Sequence, residues 1–114
     1  MAVADIEGDG RRSLIVGTRS LDLDGYRRSY LLCYRFDAGS WSSEEIDRSG
    51  EMGFHAAAAI DTDDDGCEEI IASDDERGLI KCYKRGPSGW KATVVHDAGS
   101  RIFVASICAV SSRP

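Results

Sequence analysis

Two short acidic stretches hold the side chains best suited to chemistry. Asp5-Ile6-Glu7-Gly8-Asp9-Gly10 recurs 56 residues on, Asp5 to Asp61, as Asp61-Thr62-Asp63-Asp64-Asp65-Gly66. Carboxylates at positions one, three and five of such a loop converge on one centre. Glycine at position six lets the chain turn sharply, and position seven offers a backbone carbonyl. All of these donors are hard oxygens, so the expected ligand is a hard cation, Ca2+ first. The second loop supplies Asp61, Asp63 and Asp65, the Cys67 carbonyl, and Glu69 at position nine. The first supplies Asp5, Glu7 and Asp9 and the Arg11 carbonyl, but has Ser13 at position nine. Glu7 is also one methylene longer than the usual Asp, so the first site is expected to be the weaker. Position twelve is Val16 or Ala72, which rules out an EF-hand with its bidentate Glu.

The loops belong to a longer repeat. Cys33-Tyr34-Arg35 matches Cys82-Tyr83-Lys84, Trp41 matches Trp90, and Gly50 matches Gly99, all at an offset of 49. The seven-residue difference falls between the two blocks, where the first copy carries a polar insertion from Thr18 to Ser29. A third copy starts near Ile102. Aligning Val104 with His55 puts Val110 over Asp61, so that copy has no acidic loop.

Short apolar runs between turn signals predict strands rather than helices. They are expected at Ala2–Asp5, Leu14–Gly17, Tyr30–Phe36 and Trp41–Ile46. In the second copy they fall at His55–Ile60, Glu69–Ser73, Leu79–Lys84 and Trp90–Val95, with Gly86-Pro87-Ser88-Gly89 as a strong turn. Four strands per unit of about 50 residues, with a small-residue first strand, is the pattern of a β-propeller blade. The expectation is an all-β chain: blade one over 1–53, blade two over 54–100, and the first strand of an incomplete third blade over 101–114. Two blades leave faces uncovered. The chain is therefore expected to be a piece of a longer propeller, to associate with itself into a ring, or to form an open two-sheet packing.

The pattern D-x-[DE]-x-D-G-x-x-x-[LI]-[IV], preceded by a small-residue strand, resembles the FG-GAP or VCBS-type repeats of β-propellers, which are related to the repeats of the integrin α-subunit head. The resemblance spans roughly residues 2–110. It implies calcium-stabilised blades with the metal loop between the first and second strands, and ligands Asp5, Glu7, Asp9 and Asp61, Asp63, Asp65, Glu69. Ser13 and the loop-free third copy depart from the pattern.

Composition narrows the partners. The 114 residues carry a net charge of −6, against nucleic-acid binding, which requires a basic surface. No apolar run is long enough for a membrane span, and Met1-Ala2-Val3-Ala4 runs straight into acid, unlike a signal peptide. The four cysteines lack metal or disulfide spacing and read as buried thiols, which lean towards a reducing compartment; weak calcium loops lean towards the extracellular one. Neither histidine lies in a recognisable catalytic motif. His55, at the head of an innermost strand, is the one candidate general base, and His96 reads as loop. Trp41 and Trp90 are expected in packing. The leading expectation is a non-catalytic calcium-binding scaffold that meets a protein or carbohydrate ligand. The alternative is part of a propeller enzyme of the lyase or sugar-dehydratase type, using His55.

Overall fold

The computed structural model describes residues 1–18, 21–22, 27–104 and 106–108. These residues form nine strands and no helix: β1 (Ala2–Ala4), β2 (Ser13–Gly17), β3 (Leu21–Asp22), β4 (Arg27–Asp37), β5 (Ser40–Ser49), β6 (Phe54–Ile60), β7 (Glu69–Asp74), β8 (Leu79–Gly86) and β9 (Gly89–Asp97). They make two four-stranded antiparallel sheets in simple up-and-down order, β1-β2-β4-β5 and β6-β7-β8-β9, with β3 paired to the start of β4. Each sheet is one copy of the sequence repeat, and each acidic loop joins a sheet's first strand to its second. The alanine run Ala56–Ala59 is strand, as its repeat partner Ala2-Val3-Ala4 requires.

The duplication reaches irregular details. A β-bulge between Leu31 and Leu32 recurs between Ile80 and Lys81, at the same place in the repeat. The last hairpin of each sheet closes with a two-residue turn, Ala38-Gly39 in one and Pro87-Ser88 in the other. Both Ala38 and Gly39 have positive φ, as the favoured hairpin turns demand. The described residues of the insertion from Thr18 to Ser29 include a further strand pair. Leu21 and Asp22 pair with Arg28 and Arg27, so the β2–β4 hairpin is drawn out beyond the Gly17–Leu31 pair. Sequence reasoning missed this two-residue strand because its surroundings are polar. At the other end, residues 101–104 and 106–108 form no strand. The Ile102 and Val104 amides donate instead to the Asp75 carbonyl (3.1 Å) and carboxylate (3.2 Å). The rest of the expected third unit, including Val110, lies outside the described residues.

Unlike faces of the two sheets pack together. The first sheet contributes Ala4, Ile15, Leu31 and Cys33, and the second contributes Phe54, Ile70, Ala72 and Tyr83, all buried in one core. By repeat position, Ile15, Leu31 and Cys33 correspond to Ile71, Ile80 and Cys82, which lie on the opposite face of the second sheet. There they pair in the register Ile71–Cys82. Conversely Ile70, Ala72 and Tyr83 correspond to Leu14, Val16 and Tyr34, on the far face of the first sheet. The contact is therefore head-to-tail. Each of those six far-face counterparts is only partly buried. Trp90 packs on the core, whereas Trp41, expected to pack as well, is exposed against Phe36.

A polar knot ties the outer strands across this seam. Asp47 on β5 accepts hydrogen bonds from Lys81 Nζ (2.8 Å) and the Tyr83 hydroxyl (2.7 Å) on β8. Lys81 also contacts Asp74 (3.2 Å), which accepts from the Ser49 hydroxyl (2.6 Å). Glu44 accepts from the Trp90 indole and pairs with Arg85 (3.2 Å). Partial burial opposes the Asp47 charge, but the Lys81 ammonium, the Tyr83 hydroxyl and the Arg48 amide outweigh it and hold the carboxyl below 3.8. A carboxylate held low contributes its full stabilisation above that value and loses it as pH falls through the lower, folded one. Asp47→Asn is expected to cost about 1–3 kcal/mol at pH 6. It should also flatten the loss of stability as pH falls below the ordinary carboxylate range. Urea titrations of both proteins across that range measure each effect, and parallel acid limbs would show that Asp47 does not tie the seam.

Candidate metal centre

Both acidic loops fold on the same hydrogen-bond frame. In the second, Asp61 accepts from the Asp65 (3.2 Å) and Gly66 (2.9 Å) amides, and Asp65 accepts from the Cys67 amide (2.9 Å). In the first, Asp5 accepts from the Asp9 (3.2 Å) and Gly10 (3.0 Å) amides, and Asp9 from the Arg11 amide (2.9 Å). The left-handed residues also coincide, Gly8 and Gly10 matching Asp64 and Gly66. Asp is among the few residues besides Gly that tolerate that conformation. Carboxylates at positions one and five thus shape the turn first, and the same turn gathers the acids.

In the second loop the gathering is tight. Oxygens of Asp61, Asp63, Asp65 and Glu69 all lie within 4.8 Å of one another, the one cluster of its kind among the described residues. Calcium–oxygen bonds of about 2.3–2.6 Å put opposed ligands roughly 4.6–5.2 Å apart, so the spacing suits such an ion. Glu69 is the informative member. It is buried, and its Oε1 accepts from the Thr62 amide (2.9 Å) and hydroxyl. Its Oε2 is also buried and has no hydrogen-bond partner. A buried carboxylate oxygen without a donor is costly unless a cation faces it.

Lys84 partly fills that role. From β8 its ammonium donates to Asp63 and to Asp65 (2.6 Å), and stands 3.9 Å from Glu69 Oε2. The ammonium, with the Cys67 amide, holds the Asp65 carboxyl down at about 2, and the paired acids push Lys84 up. Sequence reading missed Lys84, although the alignment of Cys33-Tyr34-Arg35 with Cys82-Tyr83-Lys84 held the signal. Its counterpart Arg35 contacts Glu7 (3.4 Å) in the same way.

The first loop does not gather its acids to the same degree. Ser13 replaces Glu69. Glu7 pairs with Arg35, and Arg11 reaches Asp37 (3.3 Å). Arg11, Arg12 and Arg35 line the same recess as Glu7 and Asp9. Three guanidinium groups make that recess a poorer place for a divalent cation than the second loop, where Lys84 is the cation in contact.

The two loops touch each other across the seam. The Asp5 amide donates to Glu68 (2.8 Å), and the Glu68 amide donates to the Asp5 carbonyl (2.9 Å). A β-carbon on Gly8 would fall 2.7 Å from the Gly66 carbonyl oxygen, so only glycine allows this approach. His55 stacks on Phe103 (4.7 Å between ring centres) and has no hydrogen-bonded acid or hydroxyl among the described residues. All four cysteines are free. Desolvation, with nearby acids, pushes the Cys67 and Cys82 thiols up, away from thiolate chemistry.

Gly8 and Gly10 provide a controlled test of the loop–loop contact. Both have positive φ, but a β-carbon on Gly10 meets nothing within 4 Å. Gly10→Ala is expected to cost about 1–2 kcal/mol from backbone strain alone. Gly8→Ala should cost a further 1–3 kcal/mol, roughly, from the collision with Gly66. Equal losses in urea denaturation would mean that the loops do not abut.

Comparison of the chain with protein-family models, with curated proteins and with solved structures finds no significant match.

Proposed function

We propose that this chain is a calcium-binding repeat module of the β-propeller type, serving as a scaffold or interaction surface without catalysis of its own. Asp61, Asp63, Asp65 and Glu69 would hold the ion, joined by the Cys67 carbonyl, with Asp5, Glu7, Asp9 and the Arg11 carbonyl forming a weaker counterpart. One observation carries the reading: Glu69 Oε2, buried and without a hydrogen-bond donor, stands in a cluster of three further carboxylates. The up-and-down order of each sheet and the head-to-tail stacking suit propeller blades and the FG-GAP or VCBS resemblance. The ion supplies charge neutralisation: it lets four acids sit together at a hairpin corner, and so ties β6 to β7. The protein's own Lys84 supplies one charge of that neutralisation from a half-exposed side chain.

Thermal melts with and without calcium test this reading. A ligand that binds only the folded state at 100 times its Kd adds about 2.7 kcal/mol, so Tm is expected to rise. Asp61→Asn or Asp63→Asn should remove most of the gain, and Asp5→Asn little of it. Lys84→Met should lower Tm in chelator and tighten calcium binding, because the competing ammonium is gone. Magnesium, which demands tighter octahedral geometry, should protect less. If calcium moves the Tm of neither the parent nor Lys84→Met, the calcium reading fails.

A further inference from the structure

The head-to-tail packing leaves two unpaired faces that are repeats of the paired ones. The exposed side of the first sheet presents Val3, Leu14, Val16, Leu32, Tyr34, Phe36 and Trp41. These occupy the repeat positions of Ala59, Ile70, Ala72, Lys81, Tyr83, Arg85 and Trp90, the side of the second sheet that enters the seam. The exposed side of the second sheet presents Ile71, Ile80 and Cys82, repeating Ile15, Leu31 and Cys33. Phe103 repeats Phe54, yet Phe54 is 2% exposed and Phe103 is 64% exposed.

Besides Glu45 and Arg48 on the first sheet and Lys84 and Lys91 on the second, the charges that cross the internal seam have changed in concert on these faces. Within the chain, Asp47 meets Lys81, and Glu44 meets Arg85. At the repeat positions on the open faces, His96 replaces Asp47 while Leu32 replaces Lys81. Thr93 replaces Glu44 while Phe36 replaces Arg85. Ala98 replaces Ser49 while Thr18 replaces the buried Asp74, and Thr18 Oγ1 already serves the Tyr30 amide. In every pair both members have lost their charge, or their need of a partner, together. Stacking one open face on the other would therefore bury no unmatched ion at these positions, which is the usual obstacle to such a contact. At the loop corner the exchange runs the other way. Cys67 and Glu68, which touch the first loop across the seam, are repeated as Arg11 and Arg12. Those arginines would meet the acidic second loop with opposite charge.

We propose that the exposed face of the first sheet binds the exposed face of the second sheet of another copy of this chain, reproducing between molecules the seam that joins the sheets within one. The contact is between unlike surfaces. It repeats at each new copy and either closes a ring or continues as a filament. Asp64 stands where Gly8 permits close approach in the internal seam, so the intermolecular seam is slightly wider at that corner. The proposal rests on the packing of the sheets and holds with or without calcium at the second loop.

The test transplants the internal ion pair. Light scattering with size-exclusion chromatography should give the parent chain a mass above that of one chain at about 100 µM, whether a fixed multiple or one rising with concentration. His96→Asp alone places a carboxylate on the open face of the second sheet, and Leu32→Lys alone places an ammonium on the open face of the first, where its cross-strand neighbour is Glu45. Each should weaken assembly at least tenfold while leaving the β-sheet circular dichroism unchanged, since Leu32 is half-buried and His96 exposed. The double variant should recover assembly, because the introduced carboxylate then stands beside the introduced ammonium and Tyr34, as Asp47 stands beside Lys81 and Tyr83. A parent chain that stays monomeric throughout overturns the proposal. So does an oligomer indifferent to both single changes, or a double variant no better than either. Repeating the series in chelator separates this result from the calcium test: assembly that survives calcium removal stands even if the metal reading fails.

Discussion

The structure depends on one constraint: each sheet can bury only one face against its neighbour, and the two faces of the repeat are different. Ile15, Leu31 and Cys33 form one kind of surface, and Ile70, Ala72 and Tyr83 form the other. Like faces would set branched aliphatic side chains against each other and leave Tyr83 without Asp47. Unlike faces let Tyr83 bury its ring in the shared core and reach across the seam to Asp47. Burial of these side chains at about 25 cal/mol per Å2 drives the pairing. The Asp47–Lys81–Asp74 knot fixes its register, because a slip of one position would strand a buried charge. The small first strands follow from the same constraint. β1 and β6 run close together where the sheets converge, and Ala2, Ala57 and Ala59 leave room for that approach.

The acidic corners are a second consequence. Both hairpin loops sit on the same edge of the stack, near enough for Gly8 to meet Gly66 and for Glu68 to bond both backbone groups of Asp5. That crowding raises the electrostatic cost of the second loop, which brings four carboxylates together beside the first. Lys84 offsets part of it with one charge. Glu69 is the residue for which one ammonium is insufficient: at 3.9 Å from Lys84, its Oε2 gains Coulombic attraction but no hydrogen bond. The first loop meets the same problem differently, with Ser13 in place of the fourth acid and Arg11, Arg12 and Arg35 lining the recess beside Glu7 and Asp9. Two copies of one loop have thus reached charge balance by two routes.

Much of this fold could be read in the sequence, because its signals are local. All eight main strands follow from apolar runs between turn residues, and the two acidic loops announce their own hydrogen-bond frame through Asp at positions one and five. What escaped is non-local. Asp47 and Lys81 are 34 residues apart, and Glu44 and Arg85 are 41 apart; neither pair leaves a mark within a sequence window. Trp41 and Trp90 are identical in type and repeat position but opposite in exposure, since burial depends on which neighbour stands opposite. The short β3 pairing was hidden in a polar insertion, where apolar patterning carries no information. Lys84 was visible as half of a repeated basic pair, yet its reach into the acid cluster needs the strand register to be known.

Divergence between the two copies is therefore as informative as their similarity. Positions that keep their type, such as Ile15 and Ile71 or Cys33 and Cys82, are those whose role is set by the sheet itself. Positions that change mark a difference in what lies opposite. Lys81 faces Asp47 and Asp74 across the seam, and its counterpart Leu32 would face His96 and Thr18 at the repeat positions of those acids. If the far faces met only water, a charged residue would suit Leu32, Phe36 and Trp41 at no cost, since solvent stabilises ions and gains nothing from exposed aromatics. Their apolar character instead argues that these positions have a neighbour. The concerted loss of charge at Asp47, Glu44, Lys81 and Arg85 equivalents argues that the neighbour's outer strand resembles β9 of this same chain.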